Sequence, residues 1–273
     1  ARCYPPRPMA TPPPSSDAHP FDALVQVMSA LRDPAAGCPW DRQQTLQTLK
    51  AYAVEEVYEL LDAIDDGPPE AHRDELGDVL LQIVFQAQIR AEEGAFDAHD
   101  VCRAITQKML RRHPHVFGDE EITSAADSRS AWERIKAEER AASPGPSSAL
   151  DGVPRSLPAL LRASRLGEKA AAVGFDWTRP QDVLTKIREE IDELEVALQD
   201  ADQDAARAEF GDVLMALTSL ARHVQVEPED ALRGANDRFT ARFRRMEQIS
   251  DRPLGELSAD SLEALWQRAK TDV

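Results

Sequence analysis

Four pairs of acidic residues are spaced so that each pair would share one face of a helix. Within a pair the two residues stand three positions apart, which is about 300° of helical rotation. A short connection between two such helices would make them antiparallel neighbours and bring their carboxylates face to face. The pairs form two groups of four, which are Glu56, Glu59, Glu75 and Asp78, and then Glu190, Glu193, Glu209 and Asp212.

Facing carboxylates of this kind point to the binding of a hard divalent cation. Ionised carboxylates held close together repel one another, and each raises the pKa of its neighbours. Oxygen ligands alone favour Mg²⁺, with Mn²⁺ as a substitute, and without a Glu-x-x-His motif a di-iron centre is disfavoured. The alternative is an ordinary solvated acidic face, on which a single EExxE motif is common. Apolar residues would pack between two helices at lower cost, so the sequence favours the metal site.

The second half of the chain repeats the first. Three separated segments keep a single offset of 134 residues, namely ELGDVL from 75 and EFGDVL from 209, EEVYEL from 55 and EEIDEL from 189, and WERIK from 132 and WQRAK from 266. GCPWD (37–41) and GFDWT (174–178) also correspond, with one small change in length between them. The chain is therefore a duplicated unit with one acidic group in each copy.

The elements that must position these acids are helices. Apolar residues recur every three or four positions, and no segment shows the strict alternation of a half-buried strand. Aromatic residues make up only 5% of the chain, which disfavours the core of a β-sandwich or barrel. We therefore expect an all-α fold. The predicted helices cover about 21–32, 45–66, 70–93, 98–112, 127–140, 158–172, 180–200, 204–226, 228–249 and 259–271.

Composition divides the chain into four segments. Residues 1–19 are rich in proline and lack the apolar region of a signal peptide, so we expect a disordered tail, with Met9 as a candidate start. Residues 20–140 form the expected N-terminal helical domain, and 159–273 form the C-terminal one. Between them, 141–158 is rich in Pro, Ser and Gly, which is typical of a linker.

The charge balance and the missing motifs exclude several function classes. Asp and Glu outnumber Lys and Arg by 49 to 32, a formal net charge of −17, so we expect no nucleic acid polymer as a partner. No apolar stretch is long enough to span a membrane, and the three cysteines have no zinc-like spacing, which indicates a cytoplasmic protein. No P-loop or Rossmann glycine pattern is present. A small phosphorylated ligand remains compatible with this charge if a metal cation stands between the negative groups.

Basic and aromatic residues of the second copy could bind such an anion. A tryptophan and a lysine four positions apart would share a helix face and offer an aromatic surface beside a cation. The alternative is a tryptophan that anchors a terminal helix next to an exposed lysine. The first copy has Tyr52 where the second has a lysine, so the second copy is better equipped for an anion. The candidate anion-binding residues are Lys186, Arg238, Arg242, Trp266 and Lys270.

These motifs together resemble the MazG family of the all-α nucleoside triphosphate pyrophosphatase superfamily. The superfamily motif EExxE, a spacer and then ExxD, matches EEVYE…ELGD over 55–78 and EEIDE…EFGD over 189–212. The segments GCPWD, RRHPHVFGD (111–119), PRSLPAL (154–160) and GFDW extend the likeness to the two-domain form. The resemblance implies two tandem helical units of the four-helix-bundle type, completed by homodimerisation.

The resemblance also implies an activity and a role for each candidate residue. The expected reaction is the Mg²⁺-dependent hydrolysis of ribo- and deoxyribonucleoside triphosphates of several bases to monophosphate and pyrophosphate, which would control or clean nucleotide pools. The family's C-terminal copy is credited with catalysis, so its acids would be the catalytic metal ligands and the four acids of the first copy an inactive counterpart. Glu189 would orient or deprotonate the attacking water. Lys186, Arg238, Arg242, Trp266 and Lys270 would contact substrate, although Arg238 stands where the family often has lysine.

Two alternatives stay open from the sequence. One is a pyrophosphatase of narrower specificity, acting on a modified nucleotide or on dUTP. The other is a non-catalytic helical dimer that binds nucleotide, or a protein partner, as a regulator. Turnover measured across a set of nucleotides distinguishes the narrow pyrophosphatase from one of broad specificity. Metal-dependent product formation excludes the non-catalytic dimer.

Overall fold

The computed structural model is helical throughout the part of the chain that it describes. It describes residues 13–118 and 148–272 and, between these ranges, 124, 127–128, 131–132, 134–135 and 139; the side chain of Asp66 is left out. Eleven α-helices have their bounds within these residues, and no strand occurs in them. The all-α prediction is therefore confirmed. Some predictions lie outside this description, namely those for 1–12 of the tail, for 141–147 of the linker, and for Lys136 and several of its neighbours in the helix expected over 127–140.

The chain divides into two compact units, Ala1–Ala142 and Ser143–Val273. The division falls inside 141–158, which the composition predicts to be a linker. None of the described helices is long and apolar enough to cross a lipid bilayer.

The first unit is built on two long antiparallel helices. Only Gly67 and Pro68 join α3 (Leu49–Asp66) to α4 (Pro69–Glu92), so the second helix must turn back along the first. Pro69 opens α4 at a position where its missing N–H costs no helical hydrogen bond. The other helices of the unit are α1 (Pro20–Leu31), α2 (Pro39–Gln43), α5 (Ala98–Arg112) and α6 (Pro114–Phe117).

The helix α3 begins four residues later than the periodicity predicts. The Thr48 hydroxyl accepts a hydrogen bond of 2.9 Å from the backbone N–H of Thr45, and the Thr45 hydroxyl accepts one of 3.2 Å from the N–H of Thr48. This reciprocal pair closes a turn over 45–48, because threonine hydroxyls can take backbone hydrogen bonds that a helix would otherwise use. The observed helix therefore starts at Leu49 instead of Thr45.

The second unit repeats the antiparallel pair. Residues 200–202 connect α8 (Pro180–Gln199) to α9 (Gln203–His223). The Asp202 carboxylate caps α9 by accepting hydrogen bonds from the N–H groups of Asp204 and Ala205, and these contacts satisfy two donors at the helix start. The remaining helices of the unit are α7 (Ala159–Ala172), α10 (Pro228–Ile249) and α11 (Ala259–Asp272), with a 3₁₀ turn at Leu254–Glu256.

A small apolar core sets the register of each helix pair. Helices α8 and α9 make the most extensive helix contact in the second unit, and α7 packs against α9. Their buried residues lie one to two turns from the acidic motifs, so the packing of the core also sets which acids face each other. The core of the first unit contains Met28, Leu49, Val84, Phe85 and Ile89. That of the second contains Val183, Ile187 and Ala216, with Leu220 packed against them.

An ion pair holds the GFDW segment against the end of α9. The Arg222 guanidinium donates to both carboxylate oxygens of Asp176, with one distance of 2.7 Å, and His223 lies 3.3 Å from the same carboxylate. The hydrogen bonds from Arg222 lower the pKa of Asp176 below its usual 3.8, more than burial raises it. The motif that pairs with GCPWD in the sequence repeat is therefore anchored by charge.

This ion pair predicts a pH-dependent contribution to stability. Because the folded state lowers the pKa of Asp176, its stabilising effect is present above pH 3.8 and declines as the pH falls below that value. We expect Asp176→Asn to lower the free energy of unfolding more at pH 6 than at pH 3, measured by urea denaturation with circular dichroism. Asp237→Asn, which removes an exposed carboxylate of α10, is the control. An equal loss at both pH values for Asp176→Asn would contradict the assignment.

Candidate metal centre

Three carboxylates of the second unit converge between α8 and α9. Glu190 and Glu193 lie one turn apart on α8, and Glu209 lies on the facing helix α9. Each offers an oxygen, and these oxygens all lie within 4.8 Å of one another. The sequence predicts a fourth member, Asp212, which is outside this group of three but close enough to act electrostatically on Glu209.

Glu190 is the most constrained of these acids. It is 6% exposed, and as a whole residue it is the only charged one that is buried among the described residues. Its carboxylate lies 2.6 Å from the Lys186 ammonium one turn earlier, and the same ammonium lies 2.8 Å from the predicted catalytic residue Glu189. Hydrogen bonds to Glu189 and Glu190, in that order, raise the pKa of Lys186. The buried charge therefore has a partner, which a buried carboxylate requires.

Repulsion is concentrated at Glu209. Partial burial raises its pKa, and the neighbouring charges of Glu193, Glu190 and Asp212 raise it further. A proton or a metal cation would relieve this repulsion. At neutral pH, where most carboxylates are ionised, a divalent cation is the stronger candidate.

The first unit carries a second group of three acids in the repeated position. Oxygens of Glu56, Glu75 and Asp78 lie within 4.8 Å of one another between α3 and α4. Burial is the main cause that raises the pKa of both Glu56 and Glu75. The predicted fourth acid, Glu59, lies outside this group and is exposed.

The donor atoms of both groups suit Mg²⁺ or Mn²⁺. Carboxylate oxygens are the ligands that these cations prefer, and each group supplies three that can converge. In the first group, Oε2 of Glu75 is buried and has no hydrogen-bond partner among the described residues, so a cation, a proton or a water could satisfy it. The two groups differ in their third member, which is Asp78 in the first and Glu193 in the second.

The predicted substrate-binding residues on α10 and α11 form a separate group. The Lys270 ammonium lies 5.8 Å from the centre of the Trp266 ring, and that ring lies 5.4 Å from the ring of Phe239. Arg238 is exposed, and Nε of Arg242 is buried without a hydrogen-bond partner among the residues described. No hydrogen bond or ion pair within the described residues joins these cations to the acids. The structure thus brings Lys186 to the acids, but not the other four predicted contacts.

The similarity of this chain to known proteins identifies its family. The MazG nucleotide pyrophosphohydrolase domain matches residues 44–117 and again 178–246, which together make up more than half of the chain. The chain belongs to the MazG family. It is 46% identical to the nucleoside triphosphate pyrophosphohydrolase of Escherichia coli, over 92% of this chain and 97% of that protein. It is 45% identical to the nucleoside triphosphate pyrophosphohydrolase/pyrophosphatase MazG of Thermotoga maritima, over 92% and 95%, and 31% identical to a nucleoside triphosphate pyrophosphohydrolase of Mycolicibacterium smegmatis, over 93% and 73%.

The two MazG matches coincide with the two acidic groups. The first match contains the group on α3 and α4, and the second contains the group on α8 and α9 together with Arg238 and Arg242. Trp266 and Lys270 lie beyond the second match. The family assignment made from EExxE and ExxD is confirmed, and the tandem arrangement is part of the same finding.

The structure adds one residue to the MazG site that the sequence motifs do not single out. An open groove of about 660 Å³ runs between α8 and α9, and Arg188 lines it together with Glu193 and Glu209. Arg188 lies four positions before the groove residue Asp192, so the helical period could have identified it. The EExxE motif does not include it, and the first copy has Val54 at the repeated position.

The crowding of acids predicts a gain in stability when one charge is removed. We expect Glu209→Gln to raise the free energy of unfolding in EDTA at pH 7, since the amide keeps the shape and removes the repulsion. Wild type should gain more stability from added Mg²⁺ than the variant does, because only wild type keeps the full set of ligands. Both quantities are measured by urea denaturation. Glu195→Gln, an exposed position on α8 outside the acidic group, is the control. A loss of stability in Glu209→Gln in EDTA would contradict the repulsion.

Proposed function

We propose that this MazG chain hydrolyses nucleoside triphosphates, with either ribose or deoxyribose and with several bases, to nucleoside monophosphate and pyrophosphate in the presence of Mg²⁺. The observation that carries the proposal is the acidic group Glu190, Glu193 and Glu209, which lies inside a segment that matches the MazG nucleotide pyrophosphohydrolase domain. Relatives that align over nearly the whole chain are named for this activity. Control of nucleotide pools in the cytoplasm is the corresponding cellular role.

The acids of the second unit would have two roles in this reaction, namely metal binding and activation of water. Glu190, Glu193 and Glu209 would hold Mg²⁺, with Asp212 as a further ligand. Bound Mg²⁺ neutralises phosphate charge and makes a bound water more acidic. Glu189, whose side chain is about half exposed beside the group, would orient the attacking water or accept its proton.

The cations of the second unit would bind the triphosphate. Arg238, Arg242 and Lys270 can donate to phosphate oxygens, and they would stabilise the charge that develops on departing pyrophosphate. Arg242 is suited to this role because its buried Nε has no hydrogen-bond partner in the part of the chain that the structure describes. Trp266 offers a ring surface on which a base can stack, beside the ammonium of Lys270.

The first unit would bind a cation without being the site of catalysis. Its acidic group has the same donor chemistry, and the buried oxygen of Glu75 has no hydrogen-bond partner within the described ranges. It has Tyr52 in place of Lys186, and so it lacks the counterpart of the lysine that lies beside the acids of the second unit. We therefore assign hydrolysis to the second unit.

The direct test is the release of products from a panel of NTPs and dNTPs in Mg²⁺ and in EDTA. Pyrophosphate and monophosphate formed from several bases in Mg²⁺ alone support the proposal. Release from one nucleotide only, such as dUTP or a modified nucleotide, would favour the narrow pyrophosphatase. No release from any nucleotide would contradict hydrolysis and favour a binding protein.

Removal of one ligand charge should separate catalysis from folding. We expect Glu193→Gln to lower turnover by on the order of 100-fold, since a neutral amide is a poor Mg²⁺ ligand, while the circular dichroism spectrum stays that of wild type. Glu195→Gln, two positions along the same helix, is the matched control and should keep wild-type turnover. Retained activity in Glu193→Gln would contradict the assigned ligand set. A comparable loss in Glu59→Gln, at the repeated position, would contradict the assignment of catalysis to the second unit.

We also propose that the chain forms a homodimer through apolar faces that its helix pairs leave exposed. Both copies expose large apolar side chains at the same four repeated positions, each between 38% and 58% exposed. Scattered exposed residues are ordinary, but a face that recurs in both copies beside the acidic groups is typical of an interface. The paired positions are Val57 with Ile191, Leu76 with Phe210, Leu80 with Leu214, and Ile83 with Leu217.

The homodimer predicts a molar mass twice that of the chain. Light scattering after gel filtration should give about double the chain mass of 30.2 kDa. The double variant Leu76→Asp with Phe210→Asp should shift the protein toward monomer, since each charge would be buried in an apolar contact. Asp substitutions at the exposed residues Val27 and Val173, away from the repeated face, are the controls. A monomeric wild type would contradict the proposal.

A further inference from the structure

One lysine lies where the second unit would bind its metal. The Lys186 ammonium is 2.6 Å from a carboxylate oxygen of Glu190, which is one of the three acids that converge between α8 and α9. Glu190 is nearly inaccessible to solvent, whereas about a third of the Lys186 side chain is exposed. A lysine side chain is long and flexible, so the ammonium can leave this position while the carboxylate cannot.

In the first unit, the acid at the position of Glu190 has a neutral hydrogen-bond donor instead of a positive charge. Its repeated acid, Glu56, accepts a hydrogen bond of 3.4 Å from the side-chain amide of Gln82. Tyr52 stands at the position of Lys186, and its ring packs edge-on against Trp40 at 5.7 Å between centroids. The second unit has Ala216 where the first has Gln82. The two copies therefore satisfy the same carboxylate in different ways, one with a neutral donor and the other with a cation.

The cation has an electrostatic consequence that the amide lacks. Mg²⁺ bound by Glu190, Glu193 and Glu209 would stand within a few ångströms of the ammonium, and the two positive charges repel each other. Both also draw on the same carboxylate of Glu190, whose negative charge the ammonium already neutralises in part while it stays in place.

We propose that Lys186 is an internal counter-cation that competes with the metal for Glu190 and, once displaced, turns to the phosphates of the nucleotide. Metal binding displaces the lysine from Glu190, and the triphosphate gives the displaced ammonium a new partner. Metal and triphosphate therefore bind the second unit cooperatively. The first unit, with Tyr52, binds the metal without this coupling. The inference rests on the proposed function, because it takes the acidic group as the metal site and a nucleotide as the substrate.

The test measures Mn²⁺ binding to the full chain by electron paramagnetic resonance, without nucleotide. Glu75→Gln with Asp78→Asn removes the first site, so that binding to the second can be followed alone. In this background Lys186→Gln should bind Mn²⁺ about tenfold more tightly, and the gain should shrink at 1 M salt, because the competition is electrostatic. Lys186→Arg, which keeps the charge, should bind like the parent. Circular dichroism checks that each variant is folded.

The first unit offers the reciprocal experiment. With the second site removed by Glu193→Gln and Glu209→Gln, Tyr52→Lys places an ammonium one turn before Glu56 and should weaken Mn²⁺ binding. Tyr52→Leu is the matched control, because it removes the ring without adding charge. An unchanged Mn²⁺ affinity in Tyr52→Lys would show that a lysine at this position does not compete.

The coupling is measured with a nucleotide whose α,β bridging oxygen is replaced by methylene. This analogue should tighten Mn²⁺ binding to the second site when Lys186 is present, and by a smaller factor in Lys186→Gln. Unchanged Mn²⁺ affinity in Lys186→Gln without nucleotide would overturn the competition, and weaker affinity would show that the lysine positions Glu190 instead. Equal tightening by the analogue in both proteins would overturn the release to phosphate. If no variant, nor the parent, binds Mn²⁺, then the metal site itself is wrong, and the proposed function fails with it.

Discussion

Repulsion between carboxylates on two antiparallel helices is the constraint around which each unit is arranged. The short connections at 67–68 and 200–202 force the helices to run side by side, and the apolar cores set their register. That register brings the acids close together, and partial burial, followed by the charges of the neighbouring acids, raises the pKa of Glu75 and of Glu209. The helices are stable enough to hold this arrangement because the buried apolar residues lie only a turn or two away.

The two copies compensate for the repulsion between their acids in different ways. In the first, the amide of Gln82 donates to Glu56, and one oxygen of Glu75 has no hydrogen-bond partner in the described part of the unit. In the second, Lys186 neutralises Glu190 within a single helix. A duplicated unit can therefore keep the same backbone and the same acids while its copies differ in the charge that stands beside them. That difference bears directly on what each copy can bind.

The sequence predicts the helices and the acids well, but the composition of the groups less well. The acids of EExxE and ExxD are identified by spacing, and the structure does bring acids of both motifs together in each unit. Spacing alone places all four acids of a group on facing sides. In each unit the oxygens of three acids converge, while Glu59 and Asp212 lie outside these sets of three and still act electrostatically on Glu75 and Glu209, because side-chain direction depends on helix rotation and local packing. The start of α3 is missed for a local reason, since the threonine turn at 45–48 leaves no periodic signal.

The sequence by itself determined the all-α class, the duplication at an offset of 134 residues and the family, because periodicity, spacing and motif are properties of the chain alone. Only the tertiary structure decided which three acids converge in each unit, that Glu190 is buried, and that Arg188 lines the groove beside them. These features depend on how two helices separated in the chain rotate and pack against each other. The pattern along a single helix shows which residues share one face of that helix, but not how far that face lies from the facing helix.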